Sequence, residues 1–170
     1  MPQQPSRFPL IDGFGFAAAG GSLRGAWQVN VLPRLREELH DNAGAVEFVV
    51  QGSYGPHGRP QLALRAWATL RLTCRRCLGA VECAVDAEAT LLLAASQAEI
   101  DAEPISVEGP EWIVAQKDMA LRDLVEDELL LALPYAPRHG NCPAQGSDAP
   151  EARHTPLAGL RGMLRGKNRH

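Results

Sequence analysis

The chain has 170 residues, of which 45% are hydrophobic, 22% charged and only 5% aromatic. This balance is too apolar for a disordered polymer and too polar for an integral membrane protein, so we expect a chain that folds, mainly as one domain. The formal net charge of -3 excludes a uniformly basic surface of the kind that many nucleic-acid-binding proteins carry. It leaves open how the charges are distributed along the chain.

The N-terminal stretch does not have the pattern of an export signal. Pro9, Asp12 and Gly13 interrupt the region where a signal peptide keeps its apolar stretch, and no apolar run elsewhere approaches the roughly 20 residues that span a bilayer. We therefore predict a cytoplasmic protein without membrane contact. The four cysteines should stay reduced in that compartment, which makes them candidates for metal binding, redox chemistry or packing.

Charged residues are segregated along the chain into three blocks. Residues 48–81 contain five arginines and no carboxylate. Residues 82–128 reverse the balance, with thirteen carboxylates against Lys117 and Arg122. Residues 152–170 are basic again and contain no acid. The small net charge thus hides basic segments suited to phosphate and an acidic segment that phosphate would repel.

The first third of the chain shows the patterns of short elements. Residues 13–19 are predicted as a helical turn that a glycine pair ends. Residues 23–29 alternate as an edge strand would, and residues 45–50 are predicted as a second strand. A helix capped by Asn30 is predicted over residues 30–40, because leucines recur there at the spacing of one helical face.

The clearest pattern is a β-hairpin over residues 61–93. Apolar side chains occupy every second position in two runs, which places each run on one face of a sheet. The runs comprise Leu62, Leu64, Ala66, Ala68, Leu70 and Leu72, and then Val81, Cys83, Val85, Ala87, Ala89, Leu91 and Leu93. The connection between them carries the sequence CRRCLG at the hairpin tip.

Beyond the hairpin, residues 96–110 are acidic and rich in turn-forming residues, so we expect a loop around a short strand at 105–107. A helix is predicted over residues 119–133, and Pro134 stops it. Residues 143–170 combine a stretch rich in proline, glycine and small polar residues with a short basic segment, which predicts a flexible C-terminal tail.

These elements predict an α+β fold. We expect an antiparallel sheet centred on the 61–93 hairpin, with the helices over residues 30–40 and 119–133 packed against one of its faces. Residues 1–142 would form a single domain, and residues 143–170 would form a flexible linker and a short basic C-terminal segment.

Two pairs of metal-binding residue types share the same spacing. Cys74 and Cys77 flank two residues of the hairpin tip, and His139 and Cys142 flank two residues after the last helix. Three thiolates and one imidazole suit the closed tetrahedral shell of a structural zinc ion, and the arginines between the first pair would favour thiolates. The alternatives are a reduced cysteine pair beside an unrelated histidine, or a dithiol redox centre, although a redox CxxC motif usually opens a helix.

A basic and aromatic surface is predicted on the hairpin. Arg65, Trp67 and Arg71 share one face of its first strand, and Arg75 and Arg76 continue that face at the tip. Guanidinium groups bind phosphate and an indole ring offers a surface for base stacking, so these residues are candidates for RNA contact. The alternatives are an ordinary solvated sheet face, or a Trp67 side chain that a helix covers.

The acidic run Glu126, Asp127 and Glu128 does not predict a catalytic centre, because consecutive helical side chains point in different directions. We expect solvated carboxylates, with Glu128 beside the apolar stripe and able to pair with an arginine of the hairpin. A phosphate-binding glycine loop, a nucleophile elbow and a metalloprotease motif are all missing from the sequence. We therefore predict a protein that is not an enzyme and has no small-molecule substrate.

Three stretches together resemble the YceD family, the large ribosomal RNA subunit accumulation proteins of bacteria. They read LTCRRCLGAVECAV, LRDLVEDELLLALPYAPRHGNC and PLAGLRGML, and their order and spacing are similar to the family's. The positions that the resemblance carries over are Cys74, Arg76, Cys77, Leu78, Glu126, Asp127, Glu128, Leu129, Pro134, His139 and Cys142.

The resemblance implies a non-enzymatic cytoplasmic factor that supports the synthesis, processing or stability of 23S ribosomal RNA. With the arginine face, it predicts binding to pre-ribosomal RNA or an assembly intermediate, with a ribosomal protein as a further candidate partner. We expect the acidic block to face away from RNA or toward a basic partner. The alternative is a zinc-stabilised module that binds a ribosomal protein or another partner without direct RNA contact.

Overall fold

The computed structural model describes residues 8–104 and 109–142 of the chain. The first elements are β1 (Leu10–Ile11), α1 (Gly13–Ala18), β2 (Ser22–Gln28), α2 (Pro33–Glu38) and β3 (Ala45–Tyr54). They are followed by β4 (Pro60–Thr73), β5 (Ala80–Ala94), α3 (Gln97–Ala102), β6 (Glu111–Val114), β7 (Met119–Ala120) and α4 (Leu121–Ala132). The α+β class predicted from the sequence is confirmed.

A five-stranded sheet forms the centre of the fold, with the strands in the order β2-β3-β4-β5-β6. Neighbouring strands are antiparallel except β5 and β6, which are parallel. The predicted hairpin is confirmed as β4 and β5, which stay paired from Gln61 opposite Leu92 to Thr73 opposite Ala80. The two short strands β1 and β7 form a separate antiparallel pair.

The apolar residues of the alternating runs all point to one face of this sheet, where α1, α2 and α4 cover them. This helical face contains the main core, whose largest fully buried side chains include Leu32, Leu35, Leu62, Leu70, Leu91, Leu93, Leu121 and Leu129. The opposite face carries Arg65, Trp67 and Arg71, and we call it the open face. Trp67 is only half-buried there, in a groove lined by sheet residues, and no helix within residues 8–104 or 109–142 covers it.

A glycine allows α1 to approach the sheet closely. A Cβ atom at Gly52 of β3 would lie 2.4 Å from the carbonyl oxygen of Phe16 and 2.8 Å from the Cα of Ala17. The helix itself begins at Asp12, whose carboxylate accepts a hydrogen bond from the N–H of Gly15 over 3.1 Å. Gly52 is therefore required by the packing of α1 against β3.

The second helix is shorter than predicted and begins later. Val29–Val31 form a single 3-10 turn, and α2 starts at Pro33, so Asn30 is not its cap and that prediction is wrong. Proline at the first helical position has its backbone angle already set for a helix, but it disfavours helical backbone in the residue before it. Residues 30–32 thus cannot join a continuous helix with Pro33.

The acidic segment after the hairpin contains more regular structure than predicted. Ser96 caps α3, and β6 then adds a parallel edge strand beside β5. The strand expected at 105–107 and the tail 143–170 lie outside the described residues. None of the helices in the described ranges has the length and apolarity that a membrane span requires.

Candidate functional site

The connection between β4 and β5 is a tight turn of residues 74–79. The N–H of Cys74 donates to the carbonyl of Gly79, and the N–H of Leu78 donates to the carbonyl of Cys74, each over 2.9 Å. Leu78 has a φ of +60°, a left-handed conformation that is unfavourable for a bulky residue. The turn places the side chains of Cys74 and Cys77 close enough to face one centre.

The chain returns to this turn after α4. Pro134 cannot continue the helix, and the following loop crosses to the hairpin tip, where the N–H of Arg75 donates to the carbonyl of Pro137 over 2.9 Å. This contact brings the HGNC stretch beside the turn. We refer to residues 74–79 and 134–142 together as the knuckle.

Four side chains of the knuckle converge. They are Cys74, Cys77, His139 and Cys142, which we call the Cys/His cluster, and their ligand atoms all lie within 4.8 Å of one another. The Sγ atoms of Cys74 and Cys142 are 3.7 Å apart, and Cys77 Sγ lies 3.4 Å from His139 Nδ1. In a tetrahedral zinc site, bond lengths of about 2.3 Å to sulfur and about 2.0–2.1 Å to nitrogen separate two sulfurs by about 3.8 Å and a sulfur from a nitrogen by about 3.6 Å. The donor set and its spacing therefore fit a zinc ion.

A hydrogen bond outside the cluster orients its imidazole. His139 Nε2 lies 2.8 Å from the carbonyl oxygen of Ala80, the first residue of β5. An N–H at Nε2 donates to this carbonyl, which leaves the lone pair of Nδ1 directed toward the cysteines. The Ala80 carbonyl also raises the pKa of His139, and the Cys74 thiolate adds to this effect. Metal binding at Nδ1 requires the neutral imidazole, so the raised pKa makes protons stronger competitors of a metal there.

Backbone amides favour the thiolate form of Cys74. The N–H groups of Cys77 and Arg76 lower the pKa of Cys74 to about 5, although burial acts in the opposite direction. Burial raises the pKa of Cys142, so its thiol is harder to ionise. We expected the charges of the two arginines to lower the thiol pKa, but amide hydrogen bonds are the main cause.

The surroundings of the CxxC pair differ from those of a redox dithiol. None of the chain's four cysteines forms a disulfide, and the pair lies between two strands rather than at the start of a helix. Cys83, which the alternating pattern predicted in the core, is half-buried and packs beside the cluster without joining it. The arrangement favours metal binding over dithiol exchange.

The open face carries acidic as well as basic side chains. Arg65 forms a bidentate ion pair with Asp86, with nitrogen–oxygen distances of 2.7 and 3.0 Å, and lies 3.5 Å from Glu88. This arginine lowers the pKa of Asp86. Arg71 pairs with Asp41 over 2.6 Å. Two of the five predicted RNA-contact residues are thus already engaged with carboxylates.

The acidic block, which we expect to face away from RNA or toward a basic partner, shares the open face with the arginines where it forms β5. Antiparallel pairing sets Glu82, Asp86 and Glu88 opposite Arg71, Trp67 and Arg65 respectively, and cross-strand partners share a face. A chain segment without acids therefore does not produce a sheet face without acids.

The arginines of the turn have different surroundings. Arg75 and Arg76 are both exposed, and neither forms an ion pair with any residue of 8–104 or 109–142. Their guanidinium groups are available to an anionic partner at the end of the molecule. The structure thus brings the four predicted metal ligands together but separates the predicted RNA-contact residues into paired and unpaired groups.

The acidic run on α4 contains a buried residue that sequence reasoning missed. Glu126 is only 1% exposed; its Oε1 accepts from the N–H of Leu35 over 2.9 Å, and its Oε2 lies 3.2 Å from Nε of Arg34. Arg34 also pairs with Asp127. Glu128 forms no ion pair with the described residues, so the pairing expected between it and a hairpin arginine is not seen there; Glu126 and Asp127 pair instead with Arg34 of α2. The sequence offered one signal for the contact of Glu126 with α2. Leu32, the residue before Pro33, has no side-chain acceptor for the first N–H groups of α2, so an acceptor from elsewhere in the chain is needed.

The remaining motif positions serve the fold around the knuckle. Leu129 is fully buried in the main core, and Pro134 follows the end of α4. Leu78 closes the turn between the two cysteines and β5, and its side chain is exposed. The motif thus combines core residues, a helix end and the knuckle.

Comparison with protein families gives one match. The model of the family described as large ribosomal RNA subunit accumulation protein YceD matches residues 62–160. This range contains β4 except its first two residues, all of β5 and α4, and the whole Cys/His cluster. No significant match was found among curated proteins or among solved structures. Since the family model covers more than half of the chain, the protein belongs to the YceD family.

Proposed function

We propose that the protein is a non-enzymatic cytoplasmic ribosome-biogenesis factor that supports the synthesis, processing or stability of 23S rRNA by binding pre-ribosomal RNA or an assembly intermediate. The observation that carries this proposal is the knuckle, where Arg75 and Arg76 lie on a turn beside the Cys/His cluster and pair with no carboxylate of the described residues. The description of the family points to the same RNA.

The ion pairs make some of the proposed RNA-contact residues less available to phosphate than others. Arg65 and Arg71 would have to give up carboxylate partners to bind phosphate, and Trp67 has Asp86 directly opposite. Arg75 and Arg76 face no such cost. We therefore assign the main phosphate contacts to the turn, with the open face as an auxiliary surface.

We further propose that the Cys/His cluster holds a structural zinc ion. Four protein ligands fill a tetrahedral shell, so no position is left for a substrate, which supports a structural role and not a catalytic one. The ion would fix the turn against the loop after α4 and thereby hold the arginines in place. Metal analysis after chelator-free purification under reducing conditions should give about one zinc per chain, and less than a tenth of an equivalent would contradict this site.

Crosslinking in cells, followed by sequencing of bound RNA, tests the RNA proposal. Precursor segments of 23S rRNA should be enriched with the wild-type protein, and enrichment should be lost with Arg75→Ala/Arg76→Ala. The matched control is Arg65→Ala/Arg71→Ala, which removes the same charge from the open face and should have a smaller effect. Equal enrichment with all three proteins would contradict the assignment to the turn.

A second candidate is a zinc-stabilised module that binds a ribosomal protein without RNA contact. The acidic side chains of the open face and of α4 favour it, since most are exposed and would attract a basic protein. Capture of ribosomal proteins that survives ribonuclease treatment, together with no 23S enrichment on crosslinking, would favour this module over the RNA-binding factor.

A further inference from the structure

Tyr135 is the most exposed large hydrophobic side chain of the described residues. It follows Pro134 at the end of α4, and 97% of its surface is accessible. Aromatic side chains normally bury much of their area in a core or an interface. A tyrosine held fully in solvent by a loop that the knuckle anchors is thus available to a partner.

The ring stands at the edge of a cleft beside the hairpin tip. The cleft has a volume of about 650 Å³, and its lining includes Tyr135, Pro137 and Arg75. Glu37 and Glu38, at the end of α2, also line it and form its acidic wall. The cleft therefore combines aromatic, cationic and acidic side chains.

Positive charge surrounds the tyrosine on the knuckle. Arg138 adjoins Pro137, which is hydrogen-bonded to Arg75, and Arg76 is next along the turn. All three arginines are exposed, and none forms an ion pair with the described residues. The sequence of residues 74–79 and 134–142 contains no carboxylate. An anion that approaches the knuckle thus meets three free guanidinium groups.

We propose that the knuckle binds an unpaired segment of RNA, with a base stacked on Tyr135 and with Arg75, Arg76 and Arg138 on the adjoining phosphates. This inference rests on the proposed RNA-binding function and names the form of the RNA and two further contact residues. A base can stack on a side chain only after it leaves its helix, so loops, bulges and single strands are the expected targets.

The acidic wall of the cleft favours a nucleobase over an acidic peptide. Glu37 and Glu38 would repel a peptide carboxylate or a phosphate inside the cleft, but a carboxylate accepts hydrogen bonds from the exocyclic amino groups of bases. The base therefore lies toward α2 and the phosphates toward the arginines. Leu78, which is 58% exposed at the turn, adds apolar surface next to this site.

The test measures affinity of the full-length protein for a labelled, unstructured RNA of about 12 nucleotides and for the duplex of the same sequence. Tyr135→Ala should weaken single-strand binding about 5- to 150-fold, since base stacking on an aromatic side chain is worth roughly 1–3 kcal/mol. Tyr135→Phe keeps the ring and should bind like the wild type. Arg138→Ala should reduce the slope of log affinity against log salt by about 0.7, the value for one phosphate contact on a single strand.

Thermal unfolding of each variant checks the fold, and Arg65→Ala/Arg71→Ala serves as the open-face control. Unchanged affinity of Tyr135→Ala, or equal affinity for duplex and single strand, would overturn the stacking inference. If Arg75→Ala/Arg76→Ala still weakened binding in that case, the proposed function would stand without it. A wild-type protein that binds no RNA even at low salt would overturn both proposals.

Discussion

The carboxylate of Glu126 connects two helices that are far apart in the sequence. It accepts a hydrogen bond from the N–H of Leu35 in the first turn of α2, where Leu32 at the cap position provides no side-chain acceptor. It also lies against Arg34. A residue of α4 thus takes the role that a capping serine or aspartate usually has within its own helix.

Glu126→Ala should lower the free energy of unfolding by about 2–4 kcal/mol, because it leaves a buried N–H and an arginine without their acceptor. Denaturant unfolding measures the change. Asp127→Ala removes the neighbouring, exposed partner of Arg34 and should cost less than about 1 kcal/mol. Equal losses in the two variants would contradict the capping role of Glu126.

Glu128, another carboxylate of α4, differs from Glu126 because its charged form destabilises the fold at neutral pH. Burial, together with the charges of Glu111 and Asp127, raises the pKa of Glu128 in the folded protein. Folding therefore favours its protonated form. The stabilising contribution of this form is fully present below the unfolded pKa and is lost as the pH rises through the folded pKa.

Glu128→Gln should consequently raise stability at about pH 7.5 and give a much smaller gain at about pH 4, where the wild-type side chain is itself protonated. Denaturant unfolding at the two pH values measures the difference. Glu82→Gln, at an exposed position of β5, is the control and should show no comparable gain. A gain from Glu128→Gln that is equal at both pH values would contradict this explanation.

At the level of elements, the hairpin could be predicted because its signal is long and regular. Thirteen apolar residues at alternate positions leave one pairing that puts them all on the same sheet face, and β4 and β5 adopt it. The short elements were harder. The start of α2 depends on Pro33, whose effect on residues 30–32 outweighs the helical spacing of the leucines.

The elements missed after the hairpin have weaker signals. Ser96 and Glu99 have the serine and glutamate spacing of a helix N-terminus, and Ser96 Oγ accepts from the N–H of Glu99 over 3.4 Å. That signal could have identified α3. The four residues of β6 do not alternate between apolar and polar side chains. The strand is recognised only from its parallel pairing with β5, which the sequence of β6 does not reveal.

The Cys/His cluster could be predicted from residue types and spacing, whereas its neighbours could not. The two pairs share a separation that suits one ion, so the four residues of the cluster could be grouped without knowing the path of the chain. Arg34 meets its partner Glu126, and Tyr135 comes to lie beside the hairpin tip, only through contacts between distant segments. No spacing in the sequence indicates such contacts.

Close packing of α1 on β3 gives a prediction at the same scale. Gly52→Ala should lower the free energy of unfolding by about 1–3 kcal/mol, because the new methyl group would collide with the backbone at Phe16. Gly140→Ala is the matched control, since a Cβ there meets nothing within 4 Å, and it should cost less than about 0.5 kcal/mol. Denaturant unfolding compares the two variants, and equal losses would contradict a role for the α1 contact.

For the whole molecule, the separation of basic and acidic residues along the chain is not kept in the folded structure. Antiparallel pairing mixes the basic β4 with the acidic β5, so the open face carries both signs. The basic block stays free of acids only where it leaves the sheet, at the turn of residues 74–79. Arg75 and Arg76, which form no ion pair with the described residues, therefore lie together at the hairpin tip.

If the Cys/His cluster holds the proposed zinc ion, loss of that ion should loosen this end of the molecule and leave the rest of the fold intact. Cys77→Ser is expected to speed amide exchange in residues 74–79 and 134–142, while β3 remains protected. Cys83→Ser, outside the cluster, is the control and should leave exchange in the knuckle unchanged. Hydrogen exchange with mass spectrometry measures both. An unchanged knuckle in Cys77→Ser would contradict a stabilising metal.

The separation of the cluster's two halves has a consequence for the unfolded chain. Cys77 and His139 are 62 residues apart, so an ion bound to both closes a long loop, as a disulfide would, but reversibly. A crosslink of that span removes about 4 kcal/mol of conformational entropy from the unfolded ensemble. Because the ion binds by mass action, this stabilisation would rise and fall with the free zinc concentration. The lifetime of the folded protein would then follow the metal supply of the cell.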